Sequence, residues 1–302
     1  MLTKLEHYGI RGVANKLIES YLTDRHHCVK LGKEKSNNIK ILHGVPQGSV
    51  LGPLFFLLYI NDLHLAIKHS SPYHFADDTS LLSRGKSLKT LNKNVNQDLS
   101  RLSNWLRANK IALNTSKTEI IIFKNSTLKI LKHLNFRLDG QKLFLTNAVS
   151  YLGVKLDEHL SWKNYLNELF PKLARAIGIL SKIRHLVDFK TLRSIYYSLF
   201  NSHLNYSLLA WGYIPDRLLS KLASLQNKAM RVLNFQDFRA PVQPLYINSR
   251  ILPFQNELKL RHCLFAYDIL RKKHLLNPSL TSAPTWVLLT IIKPNHPKLK
   301  YP

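Results

Sequence analysis

Two short segments could do chemistry, and they lie about thirty residues apart. One is Tyr73-His74-Phe75-Ala76-Asp77-Asp78-Thr79, a pair of adjacent carboxylates between apolar shoulders. Like charges side by side repel and burial disfavours both, so such a pair needs a compensating cation. Mg²⁺, which takes hard oxygen ligands, is the usual one. At the tip of a strand-turn-strand, Asp77 and Asp78 would suit two-metal catalysis of phosphoryl transfer. The other segment, Gly44-Val45-Pro46-Gln47-Gly48-Ser49, opens the apolar run from Val50 to Leu63. Gly and Pro break regular structure, so it reads as a loop. Glycine admits close backbone approach, and Gln47 offers an amide for a sugar or base edge. Ser49 is placed to cap the helix that follows, with Pro53 in its first turn.

These residues need elements to hold them. Val13–Thr23 reads as a helix with Leu17, Ile18 and Leu22 on one face. Val29–Leu31 and Ile39–Leu42 read as hairpin strands about a polar turn. Leu88, Leu91, Val95, Leu99, Leu102 and Leu106 recur at spacings of three and four, which predicts one amphipathic helix lying on a sheet. Ile120–Phe123 reads as a buried strand, Phe136–Leu143 as a hairpin turning at Asp139-Gly140, and Tyr151–Leu156 as a further strand. After Trp162 the period becomes helical, over Tyr165–Arg184, Phe189–Leu209, Arg217–Leu233 and Ile251–Leu270. Thr281–Pro302, rich in Pro and Lys, shows no clear period and reads as a tail of uncertain structure or as sequence beyond a decayed reading frame. The fold class is therefore α+β.

A chain of 302 residues with 45% apolar content can bury real cores and is not a disordered polymer. Its net charge of +26 favours a polyanionic partner. Residues 161–302 hold 21 Lys/Arg against 6 Asp/Glu, a net +15, and residues 1–160 hold the other +11. A basic excess in both halves fits a groove better than a basic arm. The two cysteines, Cys28 and Cys263, form no C-x-x-C, so neither a zinc knuckle nor a disulfide framework can be argued. The longest apolar run is too short to span a bilayer, and the N-terminus has no signal-peptide pattern. An intracellular setting, nucleus and cytoplasm, is the expectation, with no membrane partner.

On the two opening segments, G-V-P-Q-G-S with L-G-P-L-F-F-L-L-Y-I-N-D-L and then F-A-D-D, the chain resembles the reverse transcriptases of non-LTR, LINE-type retrotransposons of the jockey-like kind. The resemblance continues through Trp105–Asn114, Lys117-Thr118-Glu119, Tyr151–Asp157, Ala210-Trp211-Gly212 and Gln226–Arg231. It implies a partial right-hand polymerase palm, an antiparallel sheet with helices, over residues 1–157. A helical thumb and connection over 158–280 and a tail over 281–302 would follow. The implied activity is RNA-directed DNA polymerisation on an RNA template and a DNA primer, with deoxynucleoside triphosphates and Mg²⁺.

The resemblance also distributes roles. Asp77 and Asp78 would hold the metals, the first more firmly; the alternative is an ordinary acidic turn. Gly44, Pro46, Gln47, Gly48 and Ser49 would lie near the template and the nascent pair; the alternative is a plain turn before a buried helix. Lys117 would offset charge on the leaving pyrophosphate, or be a solvated surface lysine. Tyr151, Leu152 and Gly153 resemble the primer-holding strand, with core packing as the alternative. Lys163, Lys172, Arg175, Lys182 and Arg184, with Lys190 and Arg193 beyond them, would neutralise phosphates. Trp162 and Trp211 sit in apolar patterns and read as core. A polymerase of this kind carries another metal-binding Asp on a strand before a segment like Leu2–Ile10, and fingers as well. None of Glu6, Glu19, Asp24 and Glu34 has that apolar strand context. The expectation is therefore an N-terminally truncated fragment, inactive alone, with a non-enzymatic nucleic-acid-binding remnant as the alternative.

Overall fold

The computed structural model describes residues 1–41, 44–45, 48–124, 134–272 and 286–292. In chain order the elements are α1 (Leu2–His7), α2 (Gly12–Leu22), β1 (Arg25–His27), β2 (Lys30–Leu31), β3 (Glu34–Lys35), β4 (Ile39–Ile41), α3 (Leu51–Ile60), β5 (Ser70–Phe75), β6 (Asp78–Gly85), α4 (Leu88–Ala108), β7 (Glu119–Phe123), β8 (Phe136–Leu138) and β9 (Gln141–Leu143). Then come β10 (Ala148–Tyr151), β11 (Val154–Asp157), α5 (Lys163–Ile183), α6 (Phe189–Tyr196), α7 (Ser202–Asn205), α8 (Leu208–Trp211), α9 (Asp216–Leu233), α10 (Gln243–Ser249), α11 (Phe254–Lys272) and β12 (Trp286–Ile292). This is a mixture of helices and antiparallel pairs, as the α+β reading has it. The described residues form two compact units: one within 1–118, 134–144 and 289–292, the other within 119–124, 145–272 and 286–288.

The first unit is built on the β5-β6 hairpin and α4. The six stripe residues from Leu88 to Leu106 are all buried, so the helical period is realised. Ser87 caps α4 by accepting from the Thr90 N–H at 3.2 Å. Asp98 lies on the same buried stripe and is fully buried. Its carboxylate accepts from the backbone N–H groups of Lys68 (3.0 Å), His69 (3.0 Å) and Ser70 (2.7 Å), and so fixes the entry of β5 on α4. The β8-β9 hairpin turns at Asp139-Gly140, with φ of 53° and 78° as an Asp-Gly turn requires.

Two expectations here are corrected. The β-ribbon before Gly44 starts earlier than Val29: β1 pairs β4 from Arg25↔Ile41 to His27↔Ile39, and β2-β3 forms a smaller hairpin inside it. Val29 and Leu31 end up exposed, so apolar content there does not signal a core. The region 281–302 is not all tail, because Trp286–Ile292 is a strand lying next to β6 in the order β5-β6-β12. Its run of Val, Leu, Thr and Ile is strand-forming, and Leu289, Thr290, Ile291 and Ile292 are buried.

The second unit is mostly helical. Leu166, Leu169, Leu173 and Leu180 of α5 face Leu192 and Tyr196 of α6 and Leu222 and Met230 of α9 in one apolar cluster. A π-helical turn, Tyr197–Asn201, joins α6 to α7. Gln226, at 1% exposed, has its amide filled: Nε2 donates to the Tyr196 hydroxyl (3.1 Å) and the Leu252 carbonyl (3.0 Å), and Oε1 accepts from Tyr246 (3.0 Å) and the Phe254 N–H (2.6 Å). Residues Tyr151–Leu156 are not one strand. β10 and β11 pair from Ala148↔Asp157 to Tyr151↔Val154, and Leu152-Gly153 is the two-residue turn, with φ of 46° and 77°.

The entry to α5 rests on Asp157. Its carboxylate accepts from the N–H groups of His159 (3.1 Å), Ser161 (3.0 Å) and Trp162 (2.9 Å) and from the Ser161 hydroxyl (3.1 Å). Burial pushes the Asp157 pKa up, and these donors more than reverse it, leaving it below the ordinary value. A lowered carboxylate pKa gives stability that is full above the unfolded value, near 3.9, and lost as pH falls through the lower folded value. Asp157→Ala is expected to destabilise the helical unit by about 1–2 kcal/mol at pH 7, and by progressively less below about pH 4. Urea unfolding at pH 7 and pH 3 checks this; an equal loss at both would contradict the role of the charge.

Candidate active site

The carboxylate pair stands at the end of the β5-β6 hairpin. Register runs from Ser70↔Ser83 to Phe75↔Asp78, so Ala76-Asp77 is a two-residue turn and Asp78 is the first residue of β6. Asp77 and Asp78 are both partly buried. Ala76 takes φ 51°, where a residue with a Cβ is strained by about 1 kcal/mol. Asp77 borders a narrow apolar cleft with Phe56, Leu63, Thr79, Leu102 and Ile292. The cleft gives Asp77 an apolar border on one side, which lowers the dielectric there and raises the cost of its charge. His74, on the inner side of β5, contacts the Thr79 hydroxyl at 3.1 Å through Nδ1. Burial, with help from His64, pushes its pKa down, so at neutral pH it brings no positive charge to the pair. The opposite side of β5 carries Tyr73 and Phe75, 50% and 65% exposed.

Two adjacent carboxylates are hard oxygen donors of the type Mg²⁺ takes, and the pair fits such an ion in part. Among the described residues no group of three carboxylate, imidazole or thiolate side chains is placed to hold a metal. Asp62, another acid of this unit, is already paired with the Lys4 ammonium at 2.6 Å. That ammonium also lies 4.7 Å from the Tyr59 ring and 4.8 Å from the Trp105 ring, which makes a structural node of it.

In the glycine loop, Gly44 and Gly48 have φ of 86° and 80°, and a Cβ at either would meet open space. They are glycines for backbone conformation rather than for crowding. The Gly44 carbonyl accepts from the Arg25 guanidinium. Ser49 accepts the Gly52 N–H at 3.1 Å, as a cap of α3 would. Pro46 and Gln47 lie outside the described residues. The helix after the loop is less buried than its apolar run implies: Leu51, Leu54 and Leu57 are 41–51% exposed.

Lys117 ends a short 3₁₀ turn, Thr115–Lys117, and is exposed. Tyr151 ends β10, paired with Val154, and Leu152 and Gly153 form the β10-β11 turn that follows it. Of the five cations proposed on the helical half, Lys172, Arg175 and Lys182 are exposed and share one face of α5, by the 3.6-residue turn. Lys163 is on the opposite face. Arg184 sits over the Phe235 ring at 5.4 Å. Trp211 is fully buried, as expected for core, and Trp162 is partly buried against the same cluster. The period reading lacks Asp98 and Tyr206; for Asp98 the signal is an acid on an otherwise apolar stripe.

Comparison with known proteins gives the family. Residues 2–156 match the family model described as reverse transcriptase (RNA-dependent DNA polymerase). The chain is 28% identical over 225 residues to the probable RNA-directed DNA polymerase from transposon X-element of Drosophila melanogaster, covering 72% of this chain and 24% of that one. It is 26% identical over 245 residues to the RNA-directed DNA polymerase from mobile element jockey of the same fly, covering 78% and 26%. No solved structure matches it. The chain belongs to the reverse transcriptase family, in the jockey-like group of non-LTR retrotransposons. It spans about a quarter of the length of these relatives. Among the described residues no helix is long and apolar enough to cross a membrane.

Proposed function

We propose that this chain supplies the palm hairpin and the helical thumb of an RNA-directed DNA polymerase that extends a DNA primer on an RNA template. The observation that carries the reading is the Asp77-Asp78 pair at a hairpin tip with apolar flanks, in a chain of this family. Asp77 and Asp78 would hold Mg²⁺, which in such sites lowers the pKa of the attacking hydroxyl and neutralises phosphate charge. The chain's own part is to present two carboxylates on a rigid strand end, to keep the neighbouring imidazole neutral, and to border the site with apolar surface. The Gly44–Ser49 loop would approach template and nascent pair, Lys117 would face the leaving pyrophosphate, and the β10-β11 turn would bear on the primer. Two carboxylates compensate a pair of divalent ions incompletely, so this chain by itself is read as binding metal weakly and not polymerising.

Two measurements test this. Mn²⁺ should broaden the amide resonances of residues 76–79 at millimolar concentration, and Asp77→Asn should abolish the broadening. Equal broadening in the variant would remove the pair as a metal site. The 302-residue chain alone should give no detectable primer extension on RNA. Sustained incorporation that Asp77→Ala abolishes would overturn the view that the site is incomplete.

A further inference from the structure

The segment Ala210-Trp211-Gly212 has no part in the chemistry above, yet it is tightly built. Trp211 is fully buried, stacked at 6.4 Å on Phe254 and tilted at 5.8 Å against Tyr165. Its indole N–H donates to the Tyr206 carbonyl at 2.7 Å. A Cβ on Gly212 would come within 2.6 Å of the Leu208 carbonyl oxygen, so this turn admits only glycine without a shift. Ser207, between α7 and α8, takes φ 52°. The backbone of Tyr206 is therefore held from several sides.

The Tyr206 side chain is not part of that core. It is 48% exposed, and its hydroxyl donates to the Leu152 carbonyl at 2.5 Å. Its ring lies 3.5 Å from where a Cβ of Gly153 would stand. The Leu152 carbonyl is thus held by a side chain whose backbone is anchored in the helical core, and whose ring borders the space beside Gly153. A two-residue turn with Leu152 at φ 46° is strained and open to solvent, and an external clamp limits its motion.

We propose that Tyr206 is a positioning residue: it straps the Tyr151-Leu152-Gly153 turn to the helical core, so that the turn is preset to bear on the end of a primer. This rests on the reading of that turn as primer-bearing. The Trp211 indole and Gly212 act one step behind, by fixing the Tyr206 backbone.

The test uses the full chain with two probes: an RNA–DNA primer–template hybrid carrying 2-aminopurine at the primer 3′ end, and single-stranded RNA of equal length. Tyr206→Phe removes only the hydroxyl. Loss of one hydrogen bond should weaken hybrid binding roughly three- to tenfold and speed amide exchange at Gly153 and Val154 by a similar factor. The thermal midpoint and single-stranded RNA binding should not change. Unchanged exchange and affinity in Tyr206→Phe would overturn the strap, as would equal weakening for both probes. Gly153→Val, strained at φ 77°, separates the strap from the reading beneath it. If Gly153→Val weakens hybrid binding and Tyr206→Phe does not, only the strap fails. If Gly153→Val speeds exchange in the turn but leaves hybrid affinity and the 2-aminopurine signal intact, the turn does not bear on the primer and both fail.

Discussion

Asp98→Ala is expected to destabilise the hairpin-bearing unit by about 3 kcal/mol, a large share of the stability of an ordinary domain. The carboxylate is fully buried and accepts the N–H groups of Lys68, His69 and Ser70. Removing it leaves three part-buried donors without that acceptor, at about 1 kcal/mol each, and leaves a void in a packed helix face. Arg101, whose Nη1 lies 3.5 Å from the Asp98 carboxylate and is buried, loses its ion partner as well, which adds to the loss. Asn at the same position keeps the shape but turns one acceptor into a donor facing N–H groups, so Asp98→Asn should recover only part of the loss. Urea unfolding, with hydrogen exchange at residues 68–70, measures both. A change below about 1 kcal/mol for alanine, with exchange unaltered, would show that Asp98 does not anchor β5.

The second large effect is on binding. A chain of net charge +26 should bind an RNA–DNA hybrid tightly at low salt and lose that affinity steeply. Each neutralised phosphate contributes about −0.9 to the slope of log K against log salt, so six to ten contacts lose about 10³–10⁵ between 50 and 200 mM. Lys172, Arg175 and Lys182 lie on one exposed face of α5 and are the best-placed cations of that helix for a continuous backbone path. Replacing all three by alanine should reduce the slope by about 2–3. Lys163, on the other face, should change it little. Arg184, held over Phe235, should show its loss in stability rather than in the slope. The measurement is fluorescence anisotropy over a salt series. A flat response in the parent chain, or an unchanged slope in the triple variant, would take the path off this face.

How far the sequence shows this structure depends on the physics of each element. α4, α5 and α9 are legible because their buried residues recur at three and four, and a long stripe has one explanation. The Asp139-Gly140 hairpin is legible because both turn residues suit positive φ. The β10-β11 turn is not, because Leu152 has a branched apolar side chain and reads as strand; Gly153 after it is the only local sign. Trp286–Ile292 is hidden because proline and lysine dominate its flanks and composition averages it away. The carboxylate tip is legible from the types alone, since Phe75-Ala76-Asp77-Asp78 joins a strand former to two acids. What fixes its entry on α4 is not, since Asp98 enters a period count only as a gap. The Gln226 hub is hidden for the same reason: a buried amide with four partners is a three-dimensional fact.

The outer row of α3 has a practical consequence for anyone handling the chain in solution. Val50, Leu51, Leu54 and Leu57 stand 92%, 41%, 51% and 50% exposed, in a chain of high net positive charge. At low ionic strength that charge keeps copies apart, while it also retains whatever RNA or DNA came with them. Raising the salt strips the nucleic acid, and in the same step shortens the Debye length to about 3 Å at 1 M. The oily rows of separate molecules are then free to meet. Colloidal stability and purity thus pull salt in opposite directions. A polar replacement such as Leu54→Gln, made on the outer row alone, should widen the interval between them.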